Sequence, residues 1–467
     1  MNASTHVAPN MGDLYSLLYI MFAALSALYL AKNTEYKFIT FILIFWLLAQ
    51  PVIQAFYVIR PTFLPFDFQP NRILLIFLVG ILLFKSIIVK RNLSPIQRQS
   101  TPFVVYLILF IVLIAIAMGV NANVLGLKRI FAIPLEPITF LLLFIVARIL
   151  ITENILRAVL YAILIMSTVS ALIAIYQVIA DPMFLRTGTP RLAFGNIYRA
   201  FGVFPTEYIF GSFQLIAIFV ALAVISNQLI RNITIAILSV SVFITFHRLD
   251  LIILTVLAFL YMTKFSRKKV GVPMIILLGL VAVSILPAYS IFKSFEGESQ
   301  LVAERLSADT VSGRFEQYWV VINALPKHPL GLGSYEHPEY QSLMIKHKMT
   351  QSIKKPDGTN QVEGLGVHNG FLGVGIKYGF LAMIIFILFF WKMFQYFYRR
   401  ANRFEPLTYV PMFAVIIWIM SNISNGIINF SSYNILIVGL LAGAFVGLYE
   451  KGLLNKKDKV NDTSVCS

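Results

Sequence analysis

The chain has 467 residues, 58% of them hydrophobic and 13% charged, with a mean hydropathy of +0.81. That balance excludes an ordinary soluble domain. The formal net charge of +17 needs no nucleic-acid partner, because basic loops facing anionic lipid account for much of it. The single cysteine, Cys466, excludes an intramolecular disulfide and a thiolate metal cluster.

Apolar runs of membrane length recur along the chain, near 14–31, 38–58, 72–89, 103–120, 130–150, 156–179, 207–226, 231–246, 249–263, 271–291, 370–391, 406–426 and 433–450. They are continuously apolar rather than alternating, which excludes strands. The expectation is an all-α polytopic membrane protein of about thirteen transmembrane helices, within a range of twelve to fourteen. It divides into an N-terminal bundle over 1–292, which includes a loop segment at 181–206, and a large external loop over 293–368. C-terminal membrane helices follow over 369–450, then a polar tail over 451–467.

The N-terminal stretch does not read as a cleaved signal. Asp13 precedes the first apolar run and Lys32 and Lys37 follow it. With the N-terminus outside and the spans alternating, the internal segments hold twenty-one Lys or Arg and the short external ones eight. The positive-inside rule favours this orientation, which places the 293–368 loop outside and the C-terminal tail in the cytoplasm.

Before the run at 207–226, Arg191, Arg199, Gly202 and Pro205 alternate with aromatics, a pattern of a shaped loop. Its arginines suit lipid headgroups or, held in bidentate fashion, a pyrophosphate. The short runs 231–246 and 249–263 flank His247-Arg248, and a single helix would carry Arg248 at its middle at a cost of roughly 2.5–3.5 kcal/mol. A hairpin with Arg248 and Asp250 near its external tip avoids that cost. Arg248 then either pairs with Asp250, snorkels to lipid phosphate, or lines a cavity that receives an anion.

In the large loop, Ser307 or Asp309 starts a helix that runs near 311–325, with Val311, Phe315, Tyr318 or Trp319, Ile322 and Leu325 on one apolar face. Arg314 and Tyr318 are four apart and therefore neighbours on its surface. The face suits either the bilayer surface or packing over the bundle. Pro326 and Pro329 end the helix and Gly331-Leu332-Gly333-Ser334 makes a turn. The polar stretch from Tyr335 to Glu363, marked by Lys354 to Gly358, reads as flexible. His368 then stands just ahead of the next apolar run, with Asn369 as a helix cap. Unpaired amides of the first turn disfavour an imidazolium and keep such a histidine able to accept a proton. The other histidines are scattered and no H-E-x-x-H or carboxylate cluster accompanies them, so neither a metal nor another cofactor is expected.

These residues resemble, in order, the motifs of the O-antigen ligase and polymerase superfamily of bacterial membrane glycosyltransferases. The similar segments are Arg199-x-x-Gly202-x-Phe204, Thr245 to Arg248, Ser312-Gly313-Arg314 with Trp319, Pro329 to Gly333, and His368-Asn369 followed by Gly379. Three positions depart from the pattern: His247 and Leu249 flank Arg248, Thr206-Glu207 follows Pro205, and Ala382 stands where the ligase form commonly has Gly, Thr or Tyr. The resemblance implies a GT-C-like fold in the cytoplasmic (inner) membrane of a bacterium, with its site on the external side. It implies inverting transfer of a glycan from a polyprenyl (undecaprenyl) pyrophosphate-linked donor without a metal.

In that reading Arg248 and Arg314 act on the pyrophosphate, with Arg199 and Arg191, Tyr318, Trp319 and Asn369 in substrate binding, and His368 activates an acceptor hydroxyl. Ala382 and the modest loop favour a polymerase, whose acceptor is another lipid-linked repeat and whose partners include a chain-length regulator. The alternatives are a ligase acting on lipid A-core, a protein O-oligosaccharyltransferase and, outside enzymes, a lipid-linked glycan flippase.

Overall fold

The structure, a computed structural model, describes residues 101–185, 192–194, 197–264, 308–354, 360–364, 366–402, 404–424 and 433–454. The predicted runs at 14–31, 38–58, 72–89 and 271–291, Arg191 and most of the polar tail lie outside the described residues. In chain order the α-helices are α1 (Pro102–Val120), α2 (Ala122–Leu125), α3 (Leu127–Leu150), α4 (Glu153–Ile179), α5 (Glu207–Val224), α6 (Gln228–Phe243) and α7 (Arg248–Lys264). They continue with α8 (Ala308–Ala324), α9 (Pro338–Lys346), α10 (Gly370–Tyr378), α11 (Phe380–Tyr398), α12 (Val410–Ser424) and α13 (Tyr433–Glu450). Two antiparallel hairpins interrupt them, β1 (Leu192–Phe194) with β2 (Ile197–Tyr198), and β3 (Thr350–Lys354) with β4 (Asn360–Gly364).

The expectation of about thirteen transmembrane helices is corrected. Among the described residues six helices are long and apolar enough to cross a membrane: Pro102–Val120, Ile133–Leu150, Glu153–Ile179, Glu207–Val224, Phe380–Tyr398 and Pro406–Ile423. Gln228–Phe243 and Asn434–Glu450 are apolar but shorter, and the 17-residue α7 carries Arg248 and Asp250 in its first turn. The run at 370–391 breaks at Gly379, whose φ of 95° ends α10 and starts α11. Only a glycine tolerates that backbone here, because a Cβ would overlap the Pro329 carbonyl.

Apolar residues on these helices face both ways. On α1, Phe103, Leu107, Phe110, Ile114 and Met118 are buried while Val105, Leu109, Val112 and Ile116 are exposed. An all-round apolar helix is what a bilayer permits. The tightest seam joins α3 and α13, where Gly439, Gly443 and Gly447 lie against Phe140, Phe144 and Arg148. Small residues four apart let the backbones approach closely. Arg148 closes one end of the seam by donating from Nε and Nη2 to Glu450 at 2.9 and 2.5 Å.

The loop after α7 has its own small core, in which Val320, Val321, Leu325, Tyr340, Met344, Val367 and Ile376 are buried together. The stretch predicted as flexible therefore contains α9 and the β3–β4 hairpin, anchored by Tyr340 and Met344. On α8 much of the expected apolar face points outward from the protein rather than over the bundle. Phe315 and Trp319 are each 66% exposed and Ile322 is 45% exposed, while Gln317, Val320, Val321 and Ala324 face inward. A second apolar stripe, Val320, Val321 and Ala324, takes the buried side because Gln317 on the same side has backbone partners in the loop.

Candidate functional site

Three loops meet at one end of the bundle, and each is built by long-range hydrogen bonds. The loop before α5 is organised by Gln177 at the end of α4. Gln177 donates Nε2 to the carbonyls of Phe184 and Gly202 at 2.8 Å each, and its Oε1 accepts from the amides of Phe201 and Gly202. Ser170 Oγ accepts from Val203 N, and Gly202 sits at φ 57° directly on Ser170. So fixed, the loop presents Arg199, whose Nη1 donates to Glu207 Oε1 at 3.0 Å.

The tip between α6 and α7 is tied to that loop, since Ala200 N donates to Ile244 O at 3.2 Å. Thr245 Oγ1 accepts from His247 N at 3.1 Å, and Phe246 takes a φ of 51°. Asp250 is fully buried and lies 2.9 Å from His247 Nδ1. Of the alternatives for Arg248, pairing with Asp250 is therefore replaced by a His247–Asp250 pair. Arg248 itself is exposed at the tip. Partial burial, then the charges of Arg199 and Arg314, push its pKa below the ordinary guanidinium value. The guanidinium stays charged at any physiological pH, so this repulsion marks three like charges drawn together from the loop before α5, the α6–α7 tip and α8.

The third loop carries His368. Gln317 on α8, only 2% exposed, donates Nε2 to Gly366 O at 3.0 Å and accepts from His368 N at 3.2 Å. Asn369 caps α10 by accepting from Leu372 N at 3.0 Å, and its Nδ2 donates to Ile423 O at the end of α12. His368 is exposed, yet partial burial and the nearby charge of Arg314 lower its pKa. Both effects disfavour imidazolium. Arg314 also acts on Tyr318 one turn along, whose hydroxyl is held above its ordinary pKa by partial burial.

The structure thus brings Arg199, Arg248, Arg314 and His368 into one electrostatic neighbourhood. Tyr318 borders it and Asn369 frames it from α10. Trp319 points outward beside Phe315. Sequence reasoning missed Gln177, Glu207 and Gln317. Each is a lone polar residue in or beside an apolar run, with partners 7 to 51 positions away. The buried polar side chain is the available signal, because such groups are retained where they have partners. Among the described residues no three His, Cys, Asp or Glu side chains gather as a metal site.

The fold and these residues define the class, a multi-helix membrane protein with arginines and a histidine close together at one end of its helices. The particular family follows from comparison: residues 233–387 match the O-antigen ligase family, so the chain carries an O-antigen ligase domain and is a glycan-transferring enzyme. That stretch holds Arg248, Arg314, Tyr318, Trp319, His368 and Asn369 and leaves Arg191 and Arg199 outside it. No curated protein matches the chain.

Proposed function

We propose that this enzyme transfers a glycan from a polyprenyl-pyrophosphate-linked donor to an acceptor hydroxyl, in the ligase manner, with lipid A-core as the acceptor. The observation that carries the reading is the convergence of Arg248 with Arg199 and Arg314, and of Arg314 with His368. Three guanidinium groups and two carboxylates, Glu207 and Asp250, leave a local excess of positive charge where a pyrophosphate would be bound. Arg–phosphate pairs are strong because the planar fork matches the oxygens.

The chemistry then has few parts. Arg248 and Arg314, with Arg199 beside them, hold the pyrophosphate and stabilise the charge that grows on it as the anomeric C–O bond breaks. His368, neutral, accepts the proton of the acceptor hydroxyl as that oxygen attacks the anomeric carbon from the opposite face. The new glycosidic bond has inverted configuration, and the lipid pyrophosphate departs with the bonding electrons. The leaving group needs no separate acid, and this route needs no metal. Tyr318 and Asn369 border the sugar, and the orientation from the charge bias puts the site on the external side of the cytoplasmic membrane.

A polymerase is the second reading, supported by Ala382, which is only 1% exposed at a position where the ligase form commonly carries Gly, Thr or Tyr. The test is purified enzyme in nanodiscs with a chelator and a polyprenyl-pyrophosphate glycan, with and without lipid A-core. Glycan joined to lipid A-core and free polyprenyl pyrophosphate, both lost in His368→Ala, is the expected result. A ladder of lipid-linked glycan without lipid A-core replaces the ligase by the polymerase. An intact donor in both arms refutes the proposal.

A further inference from the structure

Asp250 is a fully buried carboxylate at the edge of the arginine cluster, and the proposed chemistry does not use it. Its partner is His247 Nδ1 at 2.9 Å, three residues earlier. The pair bridges the tip and the first turn of α7, where Asp250 N also donates to His247 O at 3.1 Å. On the other side of His247, Thr245 Oγ1 accepts from His247 N and donates to Val242 O. The tip therefore bends through Phe246 at φ 51° with a clamp before it and a clamp after it. A non-glycine residue in that region is strained and persists only where its surroundings hold it.

The carboxylate also has a built seat. On α5, a methyl at Gly211 would overlap Asp250 Oδ2, so this glycine makes the space the carboxylate fills. One turn earlier on the same helix Glu207 holds Arg199. Two acidic side chains thus sit side by side under the cluster, each joined to a different tip. Between the two residues of the His247–Asp250 couple lies Arg248, whose direction follows from the backbone the couple fixes.

We infer that Asp250, acting through His247, is a positioning residue that aims Arg248 at the point where Arg199 and Arg314 converge. A buried carboxyl group is costly to leave without its partner. Withdrawing either member therefore loosens the turn from which Arg248 projects. The inference rests on the pyrophosphate reading of Arg248, and its test separates the two.

The experiment is a double-mutant cycle on the full-length protein in nanodiscs, reading affinity for polyprenyl pyrophosphate alongside thermal stability. Asp250→Asn, which keeps the shape but not the carboxylate, should weaken binding about tenfold in the wild-type background and less than about twofold with Arg248→Ala already present. His247→Gln should follow the same pattern and replaces Asp250→Asn if that variant does not fold. A purely structural role moves stability equally in both backgrounds and leaves no coupling in affinity. Equal losses of affinity in both backgrounds, or no loss in the wild type, overturn the inference. If Arg248→Ala alone leaves affinity unchanged, the pyrophosphate reading fails first and takes the inference with it.

Discussion

Two Arg–Glu pairs stand at different places in this protein and do different things. Arg148 meets Glu450 with two parallel hydrogen bonds at one end of the glycine seam between α3 and α13, where Lys451 contacts the carbonyls of Ile149 and Ile151 and feels the charge of Glu450. Arg199 meets Glu207 through one nitrogen, and beyond it stand Arg248 and Arg314. The first pair fastens two helices that are already in close contact. The second belongs to a cluster whose positive charge exceeds its negative charge, which is the arrangement for an anion that arrives from elsewhere. An ion pair in a membrane protein therefore says little by itself; its neighbours decide whether it clamps or receives.

Substitutions can break that comparison, and the largest effect is expected at the receiving end. His368→Ala should lower kcat about 10²–10⁴-fold, the range for losing a positioned acid or base. Lipid-pyrophosphate affinity should stay close to wild type, because the arginines remain. A steady-state assay paired with binding reads both, and an equal loss in each would make His368 a binding residue only. Glu450→Gln tests the clamp. It leaves Arg148 beside a neutral partner and should destabilise by roughly 3 kcal/mol or less, since the arginine is partly exposed. Melting curves check this, with turnover per folded molecule expected to be unchanged.

Gln317→Leu sharpens the comparison from inside the loop. It removes both hydrogen bonds that hold Gly366 and His368 and should lower kcat about tenfold with little change in donor affinity. The smallest effect is in pH. Neutral His368 is the working form, and its lowered pKa keeps it neutral to more acidic pH than the ordinary value of about 6.5. Activity should fall only as pH drops through that lowered pKa. Removing the charge in Arg314→Gln should move this acid limb upward. A kcat–pH profile that does not shift, or shifts downward, would separate Arg314 from His368.

How much of this was legible in the chain depends on whether a residue's partner is local. The long apolar runs at 103–120, 156–179 and 207–226 are near-complete descriptions of α1, α4 and α5, because a membrane helix satisfies its own backbone. The Asn369 cap and the hairpin around Arg248 follow from neighbours in sequence. The break at Gly379 does not, since what fills it is Pro329 to Gly333 from another part of the chain: Leu332 N and Gly333 N donate to the carbonyls of Ile376 and Lys377.

Which side of α8 packs inward depends on distant partners for a related reason. Phe315, Trp319 and Ile322 are more apolar than the stripe that packs, and only the partners of Gln317 decide which side turns inward. For the site, residue types and spacing pointed to His368, Arg248, Arg314 and Arg199. The supports Gln177, Glu207 and Gln317 reach residues outside their own helical turn and leave no periodic trace, whereas Asp250 acts on His247 three residues before it.

The central claim is that arginines from separate loops form one anion site. Its most direct test is the affinity of the folded protein for polyprenyl pyrophosphate in Arg248→Ala, Arg314→Ala and the double variant, across a salt series. A single site predicts that each substitution weakens binding by about 1.5–3 kcal/mol, the scale of a charged hydrogen bond, and that the double loss departs from the sum of the two. It also predicts that affinity falls with salt less steeply in each variant. Additive small losses with an unchanged salt dependence would mean that Arg248 and Arg314 do not share a ligand, and the account would be wrong.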